Sequence, residues 1–207
     1  MRWADLLTRA RRLAGGDGRR ILGITGSPGA AKSTVARRLV DELGGVAVLV
    51  GMDGYHLAQA ELARLDRAER KGAPDTFDAA GYVALLRRLR EPGADTVYAP
   101  EFRRAIEEPI AGAVPVPPEV VLVVTEGNYL LLDTAPWSAL RDLLDEVWFL
   151  APEEQTRRRW LTARHRRYGR TAEQAAERTA GGDERNARLI APTADRADFI
   201  IDPTRLH

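Results

Sequence analysis

Between a short apolar run, Ile21-Leu22-Gly23-Ile24, and a helical pattern that begins at Lys32, the chain carries Gly26-Ser27-Pro28-Gly29-Ala30-Ala31-Lys32-Ser33-Thr34. A glycine-rich turn with a strand before it and a helix after it aims several backbone N–H groups and one helix N-terminus at the same spot, which suits an anion. The general pattern is Gly, four residues, Gly-Lys-Ser/Thr, the Walker A arrangement, in which backbone amides wrap phosphate, the lysine reaches the β and γ phosphates and the hydroxyl binds Mg²⁺. Gly26 through Thr34 are therefore expected to hold a nucleotide phosphate chain, with Lys32 as the moving charge and Ser33 as a metal ligand. Ala31 stands where the second glycine belongs. Its Cβ either crowds the phosphate or resists a backbone angle that glycine accepts freely. The expectation is weakened but surviving nucleotide binding, tightened by Ala31→Gly.

Cation usage points the same way. Of 31 basic residues only two are lysines, Lys32 and Lys71. A chain that writes nearly every cation as arginine keeps lysine where a slim, mobile ammonium is needed, and a moving phosphoryl group is such a place. Net charge is +1, so the whole molecule exerts no pull on nucleic acid or membrane. There is no cysteine, which excludes disulfides, thiolate metal sites and cysteine nucleophiles and agrees with a cytoplasmic location. No apolar stretch approaches the roughly 20 residues of a membrane span, and Met1 to Leu13 lacks the apolar centre of a signal peptide.

Along the chain, Trp3, Leu6, Leu7, Ala10 and Leu13 mark one face of a first helix, which Gly15-Gly16-Asp17-Gly18 breaks. Strands are expected at Ile21–Ile24, Val46–Val50, Thr96–Tyr98, Val120–Val124, Glu146–Leu150 and Phe199–Ile201. Helices are expected over Lys32–Leu43, Leu57–Arg70, Ala79–Arg90 with Asp78 as N-cap, and Trp137–Leu144. A Pro-rich stretch lies around Val114 to Pro118. Apolar strands alternating with helices argue for a parallel sheet covered on both faces.

Two acids fall at strand ends. Asp53 follows the second apolar strand and Glu126 follows Val120–Val124, so both belong at the carboxyl edge of the sheet, beside the phosphate loop. Transfer of phosphate to an alcohol needs a base near the hydroxyl and a metal to offset phosphate charge. Asp53 is the candidate base and Glu126 the acid supporting Mg²⁺, although either could cap a turn instead. No Asn-Lys-x-Asp guanine-reading motif is present. From Gln155 to Arg170 there is no acid, while seven arginines and His165 crowd together. A helical lid could swing several onto the nucleotide and exclude water. Arg158, Arg164 and Arg170 are the expected phosphate-facing members, with a solvated helical face or an RNA-contacting patch as the competing readings.

With these pieces in place the chain resembles the uridine kinase, pantothenate kinase and phosphoribulokinase superfamily. It is most similar to the bacterial nucleoside/nucleotide kinase branch, also called fructokinase-like. The likeness is carried by Met52-Asp53-Gly54-Tyr55-His56-Leu57, Arg70 to Asp78, Glu126-Gly127-Asn128-Tyr129-Leu130-Leu131, Arg164-His165 with Gly169, Asp183 to Asn186, and Pro192-Thr193 with Arg196-Ala197-Asp198. It implies an α/β chain with the P-loop NTPase three-layer fold, a central, mostly parallel sheet, and one kinase domain over 1–207 with an arginine-rich helical lid at about 153–182. It also implies ATP as donor with Mg²⁺, Asp53, Lys32 and Arg164 as catalytic groups, and Thr193 and Arg196 near the adenine. Asp53, Tyr55, His56, Lys71, Tyr98, Arg104 and Asn128 are the implied acceptor-side residues. Two departures are Ala31 and the arginine at position 103 in Phe102-Arg103-Arg104, where a smaller or acidic residue is expected.

The function that follows is an ATP-dependent phosphotransferase acting on a hydroxyl of a small molecule of nucleoside, pantothenate or sugar type. The alternative is a catalytically weakened nucleotide-binding regulatory protein of the same fold. Expected partners are ATP and the alcohol, without nucleic acid or membrane, and a homodimer is the default assembly.

Overall fold

The computed structural model describes residues 1–91 and 93–206. In chain order, helix α1 spans Trp3–Ala14, β1 Arg20–Thr25, α2 Lys32–Leu43, β2 Ala47–Gly51, α3 Gln59–Arg64, α4 Ala79–Arg90, β3 Val97–Arg103, β4 Glu108–Val116, β5 Leu122–Glu126, β6 Glu146–Leu150, α5 Glu154–Arg167, α6 Ala172–Arg178, α7 Glu184–Ile190 and β7 Phe199–Ile201. Five strands form a sheet in the order β2-β5-β1-β6-β7 with every pair parallel. β3 and β4 form a separate antiparallel hairpin.

The sheet is buried on both faces, and the alternation of its side chains divides the core in two. Ile21, Val123, Val147 and Phe149 point to one side, where α4 and the Tyr129–Leu132 segment cover them. Leu22, Ile24, Leu122, Val124, Trp148 and Leu150 point to the other, against α1 and α2. This is the period-2 geometry of a strand with apolar residues at every position. Helix α4 meets the sheet through Tyr82, Leu85, Leu86 and Leu89, a stripe at helical spacing. Asp78 caps it as expected, its carboxylate accepting from the Gly81 amide at 2.8 Å.

β1 is the centre of the sheet, with β5 on one side and β6 on the other, so the chain reverses its winding there. Ligands of such sheets sit beyond the carboxyl ends of the strands at that reversal. The register delivers the right residues to it: Ile24 of β1 lies opposite Glu126 of β5, and Glu126 lies opposite Gly51 of β2.

Three expectations about elements are corrected. The helix expected over Leu57–Arg70 is only α3, because Asp66 takes a left-handed φ of 55° and the chain then turns through a short 3₁₀ segment. Trp137–Leu143 is 3₁₀ rather than α. The isolated strand at Thr96–Tyr98 is half of the β3–β4 hairpin, whose other half takes in the first three residues of the Pro-rich stretch, Val114 to Val116. Pro100 sits at a register shift between Ala99 and Glu101, and Pro109 and Pro115 lie on a two-stranded ribbon with free outer edges, the places where a residue without an N–H is tolerated.

Leu86→Ala should destabilise the fold by about 2–5 kcal/mol through loss of buried contact and a residual cavity. Arg88→Ala, on the exposed face of the same helix, should stay within about 0.5 kcal/mol of the parent. Urea midpoints of the two variants check the pair.

Candidate active site

The turn from Gly26 to Ala31 packs against α5 as closely as backbone permits. A Cβ at Gly26, where φ is +144°, would stand 2.5 Å from the Leu150 carbonyl oxygen, and one at Gly29, where φ is +88°, would meet the Arg157 carbonyl at 2.7 Å and the Leu161 Cβ at 2.8 Å. Only glycine fits either position. Ala31 is the N-cap of α2 and adopts φ 65°, ψ 21°, the left-handed conformation that the usual glycine supplies. For an L-residue that costs roughly 1–2 kcal/mol. The loop holds Ala31 in that conformation, so its methyl group does not keep the backbone from the angle that glycine usually supplies.

Lys32 is buried, and its ammonium folds back on the loop, donating to the Gly26 carbonyl at 2.8 Å and the Ser27 carbonyl at 3.2 Å. Burial pushes its pKa down to about 8, helped by the Arg164 and Arg157 charges and opposed by Glu126 and Asp53. A phosphate chain there would replace those two carbonyls with anionic oxygens and favour the charged form. Ser33 donates from its hydroxyl to Glu126 Oε1 at 2.8 Å. Glu126 is buried, and burial together with the Asp53 charge raises its pKa, against the pull of Lys32 and the Ser33 hydrogen bond.

Asp53, two residues beyond β2, receives the Arg104 guanidinium at 2.7 Å. Burial raises its pKa, but His56, Arg104, Lys32 and Arg164 together outweigh burial and leave it below the ordinary aspartate range. The two carboxylates are thus driven apart: Asp53 is held below and Glu126 above the ordinary carboxylate range, so Glu126 is the one whose charge a further cation would favour more. An acid with an adjoining hydroxyl is a hard-oxygen donor set of the kind Mg²⁺ takes, with the remaining positions left to water and phosphate oxygens. Among the described residues no group of three or more His, Cys, Asp or Glu side chains could hold a metal by itself.

A cavity of about 190 Å³ opens at this point, between Ser33, Asp53 and Glu126 on one wall and Pro100, Phe102 and Arg104 of the hairpin on the other, with Arg37 and Tyr168 at its rim.

Residues 21–206 match the Phosphoribulokinase / Uridine kinase family. The chain belongs to it. A Schizosaccharomyces pombe protein named for a uridine kinase is 33% identical over 213 residues, an overlap covering 98% of this chain and 91% of that one. A Silicibacter protein whose crystal structure is named for a fructose transport system kinase superposes with a TM-score of 0.87 at 33% identity, covering 97% of this chain and 99% of the other. A Mesorhizobium japonicum pantothenate kinase is 28% identical over 213 residues, covering 87% of this chain and 66% of its own. The three-layer P-loop kinase fold and ATP-dependent phosphotransfer are what this family has in common, and no helix among the described residues is long and apolar enough to cross a membrane.

Within this family member, the residues expected at the site divide. The loop, Asp53, Glu126 and Arg104 converge, and Arg164 brings its charge to both Lys32 and Asp53. Arg158 does not face the loop, since it is held by Glu154 at 2.6 Å and Glu184 at 3.1 Å on the surface. Arg170 lies in the exposed turn after α5. The arginine that touches the loop is Arg157, which is buried and donates to the Pro28 carbonyl at 2.7 Å while pairing with Glu184 at 3.0 Å. Its spacing was the available signal, because it stands one helical turn before the buried Leu161. The first turns of α5 are therefore part of the foundation, and the exposed part of the arginine-rich segment begins beyond Leu161.

On the acceptor side, Tyr98 is 60% exposed and lines no part of the cavity. Lys71 donates to the Glu107 carbonyl at 2.6 Å and to Gln59 at 3.3 Å, holding the hairpin tip. His56 is clamped between Phe77 and Phe102 at 4.0 and 4.7 Å. Its Nδ1 lies 2.8 Å from the Asp53 carbonyl, which only accepts, so Nδ1 carries the proton. Burial lowers the His56 pKa, against the upward pull of the Asp53 charge and of the hydrogen bond to the Asp53 backbone. Tyr55 packs against Tyr82 with ring centroids 5.3 Å apart and planes tilted by 50°, and the Asn128 carbonyl accepts from Thr25 at 3.3 Å. Thr193 bonds the Ile190 carbonyl and Arg196 lies 3.7 Å from Asp133, both in the 3₁₀ turn before β7.

Ala31→Gly should change the Kd for ATP by less than about threefold, the outcome expected where the left-handed angle is held alike before and after binding. Tightening of tenfold or more in calorimetry would show that the Cβ crowds the phosphate. Lys32 makes a second prediction. Below about pH 8 its ammonium is present before nucleotide arrives; above that, binding requires proton uptake, so affinity should fall as pH rises from 8 to 10. Titrations in buffers of different ionisation enthalpy read the uptake directly, and Lys32→Met should lack it.

Proposed function

We propose that this kinase transfers the γ-phosphate of ATP to a hydroxyl of a small molecule of nucleoside, pantothenate or sugar type, with Asp53 receiving the hydroxyl proton. What carries the reading is that an ionised carboxylate, Asp53, faces the same cavity as the Ser33–Glu126 pair at the mouth of the phosphate loop. In this reading the acceptor oxygen bonds to the γ-phosphorus as the bond from that phosphorus to the β–γ bridging oxygen breaks. The electron pair leaves with ADP, and the proton passes to Asp53.

Ser33 and Glu126 would hold Mg²⁺, which supplies charge neutralisation on the β and γ phosphates. Lys32 leaves its two carbonyl partners for phosphate oxygens, and Arg164 adds a second cation from the lid. Arg104 keeps Asp53 ionised and fixes its orientation, so the alcohol meets an acceptor already in place. Phe102 and Pro100 exclude water from the hydroxyl's surroundings. A regulatory protein without turnover, which Ala31 would suit, is the second reading, and the presence of both Asp53 and Glu126 at the cavity favours turnover over it.

A coupled ADP-release screen of nucleosides, pantothenate and ketoses tests the proposal. Asp53→Asn should lower kcat on the accepted substrate by about 10²–10⁴, with the Kd for ATP within a few-fold of the parent. Equal turnover by that variant would remove Asp53 from the role of base.

A further inference from the structure

Two backbone carbonyls of the 70–78 segment gather donors from distant parts of the molecule. Arg178, the last residue of α6, donates to the Lys71 carbonyl. Asn186 of α7 donates its side-chain amide to the Gly72 carbonyl at 3.1 Å, and the Tyr129 hydroxyl donates to the same oxygen. A carbonyl has two lone pairs, so Gly72 is saturated by one donor from the rigid core and one from the lid side. The Lys71 ammonium reaches the opposite way, to the Glu107 carbonyl in the hairpin turn at 2.6 Å, and stands 5.3 Å from the Phe102 ring. That hairpin leads into Arg104, whose guanidinium meets Asp53.

The lid side is itself tied to the phosphate loop. His165 and Asp183 meet at 2.6 Å and Thr162 and Thr179 at 3.3 Å, joining α5 to the turn between α6 and α7. Farther back on α5, Arg157 donates to the Pro28 carbonyl. Arg178, Asn186 and Lys71 line none of the cavity, so what they do there is done through other residues.

We propose that Arg178 and Asn186 are positioning residues that convey nucleotide occupancy of the phosphate loop to the acceptor side, by setting the Lys71 and Gly72 carbonyls and, through the Lys71 ammonium, the hairpin that holds Arg104 against Asp53. The inference rests on the reading of the Lys32 loop as the nucleotide site and Asp53 as the acceptor side. It explains why the second lysine of an arginine-dominated chain sits away from the cavity: its backbone answers to the lid while its side chain holds the hairpin. A purely structural staple would protect the 70–78 segment equally with and without nucleotide. A positioning role requires the protection to change when nucleotide binds.

Hydrogen exchange on the full chain reads that difference, using the β,γ-imido analogue of ATP with Mg²⁺ and following residues 70–78 and 101–108. The reporters include the Gly72, Ala73 and Thr76 amides, all bonded within the segment. In the parent, the analogue should slow exchange in both stretches by about fivefold or more. Arg178→Met and Asn186→Asp should bind the analogue with a Kd within about threefold of the parent and lose this added slowing in both stretches. Arg178→Lys, which keeps a donor, should recover part of it, and Lys71→Met should lose it only over 101–108. The proposal falls if the parent shows no nucleotide-dependent slowing, or if Asn186→Asp and Arg178→Lys both retain the full effect; these two near-isosteric variants decide the matter if Arg178→Met does not fold. Calorimetry on the parent is read first, so a protein that fails to bind the analogue overturns the nucleotide reading separately and visibly.

Discussion

A lysine ammonium sealed under the phosphate loop can exist only if oxygen surrounds it. Lys32 finds two carbonyls of its own loop and the fields of Glu126 and Asp53, and it gives up part of its basicity even so. The dependence runs both ways, because burial and the charge of half-buried Asp53 push up the pKa of Glu126, and Lys32, the Ser33 hydrogen bond and Arg104 pull it back down. The charges form one set, and none of its members is stable there alone. Strand register brings the set together: β1, β5 and β2 end level, with Glu126 between Ile24 and Gly51. A slip of one residue in β5 would turn Glu126 to the other face and bury a methyl-bearing Thr125 in its place.

The loop that carries this set has little stability of its own. Its glycines are pressed against Leu150, Arg157 and Leu161, and its Pro28 carbonyl is held by a buried guanidinium. Arg157 is in turn neutralised by Glu154 and Glu184, which recruit α7 to the same foundation. The arginine-rich segment therefore does two jobs in succession along one helix. Its first turns support the loop from Gly26 to Ala31 through Arg157, and in the proposed function its later, exposed turns bring the Arg164 charge to Lys32 and Asp53.

What could be read in the chain follows from how local each determinant is. The phosphate loop, the Asp78 cap and the stripe on α4 are encoded within a dozen residues, and Asp53 and Glu126 needed only the rule that parallel strands deliver their carboxyl ends to one edge. The β3–β4 hairpin was hidden because three prolines interrupt the strand pattern, and only the free edges of a two-stranded ribbon make them admissible. Among Arg157, Arg158 and Arg159 nothing in composition marks the buried one, since burial is decided by which face of α5 meets the loop. Lys71 was legible as unusual and not as to direction. Its ammonium points at the hairpin turn because Glu107, in a left-handed conformation, turns its carbonyl outward to meet it.

The Asp53–Arg104 pair looks at first unsuited to proton abstraction, since a guanidinium at 2.7 Å makes the carboxylate a weaker base. The objection would hold for a reaction in which the proton leaves early. In phosphoryl transfer through a loose transition state, charge lies mostly on the transferred group and the leaving oxygen, and the attacking hydroxyl becomes strongly acidic only as its bond to phosphorus forms. A carboxylate that is always ionised and held at a fixed angle then serves better than a stronger base that is partly protonated and free to rotate. On that view Arg104 trades basicity for orientation, and the hairpin that carries it is as much a part of the site as the strand that carries Asp53.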